Sequence, residues 1–268
     1  MSRVCQKLGL SRSGYYKARL KHIEAGLSNS VIEELVMEQR RKMPRIGGRK
    51  LYWLIRDDLK AHGIRLGRDR FFDWLRDNQL LVRPKKRYTR TTHSHHRFRI
   101  HTNQVKGMKV KRPDQVWVSD ITYIRLRKAF CYLALITDAF SRKIIGYHVN
   151  DTLELSGCLK ALQMACRSKH KLSVIHHSDR GIQYCSNRYI EALSKQNIKV
   201  SMAEAGNCYE NALAERVNGI LKNEFNLDAT FDNINTVRSA TRQAIDTYNN
   251  QRPHMSLNMK TPQQVYAA

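Results

Sequence analysis

Three apolar runs crowd into one stretch of the chain: "QVWVSDITYIRL" (115–126), "AFCYLALITDAF" (129–140) and "KIIGYHV" (143–149). Each is rich in β-branched and aromatic residues and reads as a strand. The connections between them are short, which predicts an antiparallel meander. Downstream the pattern alternates. "LELSGCLKALQMACRSK" reads as an amphipathic helix, "LSVIHHSD" as a strand and "SNRYIEALSKQ" as a helix. "IKVSMA" is a short strand, "CYENALAERVNGILKNEF" a long amphipathic helix, and "NTVRSATRQAIDTYNN" a last helix before the tail "QRPHMSLNMKTPQQVYAA". Such an order predicts an α/β fold.

Asp120 sits inside the first of these strands, where aspartate is among the least favoured residues. Two readings are open at this point. The carboxylate lies on a wet face, or it is held at a strand position because it holds something.

Charge divides the chain. Across 268 residues, 48 Lys and Arg against 23 Asp and Glu give a formal net charge of +25. Residues 1–112 carry 29 basic and 9 acidic residues, a net of +20, which leaves +5 for residues 113–268. A polyanion is the expected partner of the first part, and nucleic acid binds such surfaces with strong salt dependence. No apolar run approaches bilayer length and the N-terminus lacks a signal-peptide core. A soluble, cytoplasmic protein with no membrane partner is therefore expected, nucleoid-associated when bound to DNA. The six cysteines (5, 131, 158, 166, 185, 208) are scattered without C-x-x-C spacing, which argues against disulfides and a Cys-rich zinc site.

Residues 30–42 read as a helix with Ser30 as its N-cap. Leu51, Leu54, Ile55 and Leu59 then recur at helical spacing. A break at Gly63–Gly67 precedes a second short helix carrying Phe71, Phe72 and Leu75. Helix, Gly-containing turn and Arg-started second helix suggest a helix-turn-helix over 45–82, with Arg68 and Arg70 as candidate DNA contacts. The other reading is a helical hairpin whose charges are its solvated face. From Arg83 to Pro113 the chain has no acidic residue and little periodicity. It reads as a basic linker ordered on a phosphate backbone, with Lys85, Lys86 and Arg87 as candidate DNA contacts. His93, His95 and His96 lack neighbouring carboxylates or cysteines and read as part of that linker.

Two further carboxylates draw attention. Asp179 ends "LSVIHHSD" where a loop opens, a common place for functional groups. Glu215 lies within the long amphipathic helix, near the expected core boundary. Between Asp120 and Asp179 there are 58 residues, and 35 between Asp179 and Glu215.

Together "SDITYI", "HHSDRGIQY" and "YENALAERVNGILKNEF" resemble the DDE catalytic core shared by retroviral integrases and many insertion-sequence transposases. The tail "YNNQRPHMSLNMKTP" is similar to the C-terminal motif of one group within it, the IS-three family, whose transposase is encoded in two overlapping frames. The resemblance runs from about residue 45 to the end. It implies a ribonuclease-H-like mixed sheet flanked by helices, preceded by a small all-α helix-turn-helix-like region. By this likeness Asp120, Asp179 and Glu215 match the three catalytic, metal-holding acids. Lys222, seven residues after Glu215, matches a position expected to touch the DNA end. Glu210 departs from the family, which more often has Asp before "NA".

The resemblance implies Mg²⁺ or Mn²⁺, two ions, as cofactor. It implies double-stranded DNA, both element ends and target, as substrate, and a homo-oligomer on DNA. An upstream-frame helix-turn-helix product, fused or associated, is the further partner it implies. The retroviral His-His-Cys-Cys zinc module has no counterpart here. For His176 and His177 two readings stay open: the resemblance implies that one sits beside the metals, and the alternative is that they are packed or supporting residues. Asn211 reads as orienting Glu215 or capping a turn. Tyr248, Arg252, Pro253 and His254 read as packing the tail onto the core. The expected organisation is an N-terminal helical segment (1–44), the helix-turn-helix-like region (45–82), the linker (83–112), the catalytic core (113–225) and a C-terminal helix and tail (226–268). The rival functions are a catalytically silent DNA-binding regulator and a ribonuclease-H-like nuclease without strand transfer.

Overall fold

A computed structural model describes residues 11–83, 100–167, 173–204 and 212–268. Two compact units divide the chain: residues up to 42 with 46–82, and residues 43–45 with 83–268.

In the first unit, helix α1 (Arg12–Lys42) buries Ile32 and Val36. Helix α2 (Gly48–Ala61) buries Leu51, Ile55 and Leu59 at i, i+4 and i+8, the single face that helical spacing allows. Helix α3 (Arg68–Asp77) adds Phe71 and Leu75. Gly63 ends α2 with a φ of 70°, a left-handed conformation that costs glycine nothing, and Ile64 N–H closes on the Leu59 carbonyl at 2.8 Å. The two-helix arrangement matches the sequence expectation. Ser30 does not. It lies within α1, where its hydroxyl donates to the Gly26 carbonyl at 3.1 Å instead of capping a new helix.

The second unit is built on a five-stranded sheet in the order β3-β2-β1-β4-β5. β1 (Val116–Arg125), β2 (Phe130–Asp138) and β3 (Ile144–Asn150) form the expected antiparallel meander. β4 (Val174–Ser178) joins β1 in parallel, and β5 (Ile198–Met202) joins β4 likewise. Parallel joins need crossovers. Helix α4 (Leu155–Arg167) precedes β4, while the short α5 (Ile182–Cys185) and α6 (Asn187–Lys195) precede β5. A mixed sheet with helices on its faces is the ribonuclease-H-like α/β class expected.

On one face Trp117, Ala134, Ile136 and Ile145 pack against Cys158, Ala161, Leu162 and Ala165 of α4 and Tyr189 and Leu193 of α6. Gly146 makes that approach possible, because a Cβ there would meet the Ala161 carbonyl oxygen at 2.2 Å. On the other face Val116, Val118 and Ala139 meet Ala214 of α7 (Ala212–Glu224).

Residues 100–113 are not a free basic linker. Val105 and Val110 pack on that second cluster. Gln104 donates its N–H to Ser201 Oγ at 2.8 Å and its side-chain amide to the Val200 carbonyl at 2.9 Å. The residues lack periodicity because they pack irregularly against the end of the sheet. Helix α8 (Ile234–Asn250) covers the edge strand: the Asn249 amide accepts from Ile144 N–H and donates to Ile144 C=O, both at 2.9 Å. The last helix, α9 (Pro262–Tyr266), sends the Tyr266 hydroxyl to both carboxylate oxygens of buried Asp114, at 3.1 and 3.0 Å. Tyr248, Arg252 and His254 are buried as the tail reading expected.

Candidate active site

β1 and β4 lie side by side, and their pairing stops at Ser119 opposite Ser178. The residues immediately beyond that last pair are Asp120 and Asp179. Two carboxylates are thus brought side by side, where β4 ends beside the middle of β1, by backbone register alone. Glu215 comes from the first turn of α7, the helix packed across β1. It is solvent-exposed and not at the core boundary, because Ala214 and Val217, not Ala212, form the buried stripe of the helix.

The three acids feel one another. Burial, then the charge of Asp179, push the Asp120 carboxyl up to about 7, with a smaller push from Glu215. Asp179 is likewise raised, by burial first and then by Glu215. Among the described residues no trio of His, Cys, Asp and Glu closes to metal-chelating distances, so their closeness is electrostatic and not contact. Asp120 is oriented on both oxygens: Oδ1 accepts from Ile121 N–H at 2.9 Å and Oδ2 from Asn218 Nδ2 at 2.8 Å. Asp179 Oδ1 accepts from Gly181 N–H at 3.0 Å.

Asn218 escaped the sequence reading. It lies three residues after Glu215 and four before Lys222, on one face of α7, and this spacing was the available signal. It is 6% exposed, and its Oδ1 is a buried oxygen with no hydrogen-bond partner. Lys222 lies within the electrostatic reach of Asp120: burial lowers its ammonium pKa while Asp120 pulls it back up, and Nζ stands 4.8 Å from the Tyr123 ring centre.

Other buried polar groups are committed to structure. Asp138 accepts from Ser141 N–H and Oγ and from Asp114 N–H. His176 Nε2 meets Ser119 Oγ at 2.7 Å and the Tyr189 hydroxyl at 3.0 Å, and burial pushes its pKa down to about 3. His177 Nδ1 meets Ser201 Oγ at 2.9 Å. Both histidines are packed. Arg68 pairs with Asp69 at 2.8 Å at the exposed start of α3, and Arg70 is exposed beside it. Lys85, Lys86, Arg87, His93, His95, His96, Glu210 and Asn211 lie outside the described residues.

The donor set is all oxygen, on groups whose repulsion a divalent cation relieves, and it suits Mg²⁺ or Mn²⁺. Integrase core domain models match residues 110–208 and 196–262. Over 266 residues, 97% of this chain and 96% of the relative, the sequence is 36% identical to the insertion element IS600 uncharacterized 31 kDa protein of Shigella sonnei. The chain belongs to the IS-three family of insertion-sequence transposases. It is also 29% identical over 268 residues, 97% of this chain and 92% of the relative, to transposase InsF for insertion sequence IS3A of Escherichia coli K12. Among solved structures, the HTLV-2 integrase catalytic core domain in complex with magnesium matches 58% of this transposase and 97% of that chain. The TM-score is 0.48 and the identity 23%. The transposase is a polynucleotidyl transferase acting in DNA transposition. No helix among the described residues is long and apolar enough to cross a membrane.

Proposed function

We propose that Asp120, Asp179 and Glu215 are the catalytic acids of this transposase. The observation that carries the reading is the coupling of the three charges where β4 ends beside the middle of β1. Two divalent ions, Mg²⁺ or Mn²⁺, held by these acids would activate the attacking oxygen and stabilise the leaving one. Asn218 and the Ile121 N–H fix the rotamer of Asp120, so its lone pairs are aimed before DNA arrives. Lys222, seven residues along α7 from Glu215, holds the phosphates of the reacting strand. Hydrolysis breaks a phosphodiester at the element end and leaves a 3′-OH. That hydroxyl then displaces a 3′ oxygen from a target phosphodiester, one P–O bond forming as one breaks. No covalent protein–DNA intermediate is involved.

The basic segment bearing Lys85, Lys86 and Arg87, together with Arg68 and Arg70, binds the DNA backbone outside the site. The basic helical region up to residue 82 serves DNA contact, and the stretch 100–113 counts with the catalytic core. Bridging two element ends requires a homo-oligomer, with an upstream-frame product supplying end recognition. The test is labelled DNA spanning the flanking element ends, incubated with Mg²⁺ or Mn²⁺ beside Glu215→Gln. Metal-dependent joined strands, lost in the variant, support the reading. Nicking without joining, even with the upstream product added, assigns a nuclease instead.

A further inference from the structure

Past Ser119, β1 loses β4 but keeps β2, whose pairing continues to Arg125 opposite Phe130. The strands β1, β2 and β3 therefore extend together beyond the acids as far as Tyr132 opposite Asn150, and β1 and β2 alone continue past it. The register sets Tyr123 opposite Tyr132 and Arg125 opposite Phe130. Strand alternation then puts these four residues on one face, while Ile124 and Cys131 are buried at 1% and 0% exposure. Tyr123 and Phe130 are 41% and 43% exposed, an unusual amount for two large rings side by side. Their centroids are 5.7 Å apart, edge to face. Each ring carries its own cation: Lys222 Nζ lies 4.8 Å from the Tyr123 ring centre, and the Arg125 guanidinium 5.3 Å from that of Phe130. Lys222 belongs to α7, on the opposite face. It reaches Tyr123 past the side of β1 that β4 leaves open.

Exposed aromatic faces with cations at their margins are how proteins hold unstacked nucleic acid: the rings take bases and the cations take phosphates. A base inside a duplex has both faces covered, so the ligand is an unpaired one. Tyr123 is three residues from Asp120 along an extended strand, about 10 Å, and alternation turns it to the other face of β1, so the reacting strand passes round the side of β1 that β4 leaves open. That distance equals roughly three steps of a DNA strand at about 3.4 Å each. We propose that Tyr123 and Phe130 form a stacking platform for an unpaired base of the reacting DNA strand, a few nucleotides from the phosphate handled by the acids. This rests on the assignment of Asp120, Asp179 and Glu215 as catalytic. Tyr123 is then a positioning residue: it holds the end of the strand in line, and Lys222 serves ring and phosphate together.

The test uses the full chain and duplexes carrying the flanking element end, with 2-aminopurine placed in turn at each of the last four positions of the reacting strand. Quenching at one position, lost in Tyr123→Ala and kept in Tyr123→Trp, is the expected result. Affinity for that end should fall about tenfold in Tyr123→Ala, the scale of one stacked base. The loss should vanish on DNA abasic at the same position. Both side chains are exposed, so the variants keep the fold. No position-specific quenching, or quenching indifferent to Tyr123→Ala, overturns the platform. So does a shift to a smaller sedimenting species in Phe130→Ala with quenching intact, which assigns the rings to a contact between protein copies. Mg²⁺-dependent cleavage is read in parallel. Its absence with quenching intact overturns the catalytic assignment and leaves the platform standing.

Discussion

Replacing Asp120 by asparagine should stabilise the metal-free protein at pH 8 while destroying its chemistry. The Asp120 carboxyl is raised from 3.8 to about 7 by burial and by Asp179. A group held above its unfolded value binds protons more tightly when native. Between about pH 4 and 7 stability therefore falls as pH rises, and above 7 the full penalty persists. A shift of about three pH units at about 1.4 kcal/mol each sets a ceiling near 4 kcal/mol. Relaxation and water leave about half of it, and for a chain of this size ~2 kcal/mol moves the Tm by roughly 4–8 °C.

Asparagine fits the same space. Its oxygen still accepts from Ile121 N–H, and a flip of the Asn218 amide turns the unpartnered Oδ1 toward the new NH₂ group. Thermal unfolding followed by circular dichroism in EDTA at pH 5 and pH 8 checks this. Asp120→Asn should gain on wild type at pH 8 and far less at pH 5. Millimolar Mg²⁺ should raise the Tm of wild type and leave the variant's nearly unchanged. A variant less stable than wild type at pH 8, or a gap independent of pH, would refute the reasoning.

Glu215→Gln should abolish cleavage and leave the Kd for DNA nearly intact, as read by gel shift beside a nicking assay. Asn218→Ala strips Asp120 Oδ2 of its donor and should lower cleavage 10- to 100-fold with a higher Mg²⁺ requirement, visible in a metal titration. Removing Lys85, Lys86 and Arg87 together should weaken DNA binding and flatten its salt slope by up to about three phosphate contacts, measured by anisotropy from low to high salt. Arg252→Ala leaves the Glu224 carboxylate at the end of α7 without its two short bonds, 2.9 and 2.8 Å. It should cost about 3 kcal/mol in urea unfolding.

The sheet was legible because β1, β2 and β3 are rich in β-branched and aromatic residues and their connections leave no room for a crossover. Asp120 and Asp179 were legible for a related reason: one is a misfit within a strand, the other closes one. Glu215 was harder, since its helix carries Ala212 at an exposed position and the apolar stripe can be drawn on either side of the acid. Asn218 had only its spacing from Glu215 and Lys222 as a local sign, because the partner that gives it its role lies 98 positions away. The stretch 100–113 looked like linker because Gln104 is anchored by Ser201 and Val200, residues whose position only the finished sheet defines. Ser30 misled through a capping preference that an unbroken helix overrode.

Tyr266 and Asp114 are separated by 152 positions, and the bond between them ties the final helix to the residue that opens the sheet. A ribosome adding about 5–20 residues each second takes on the order of ten seconds to travel that distance. Until then the buried Asp114 carboxylate accepts from Trp117 Nε1 of the first strand, at 2.8 Å, without the Tyr266 hydroxyl that completes the cluster. The two ends of this unit are thus joined only once synthesis has reached α9.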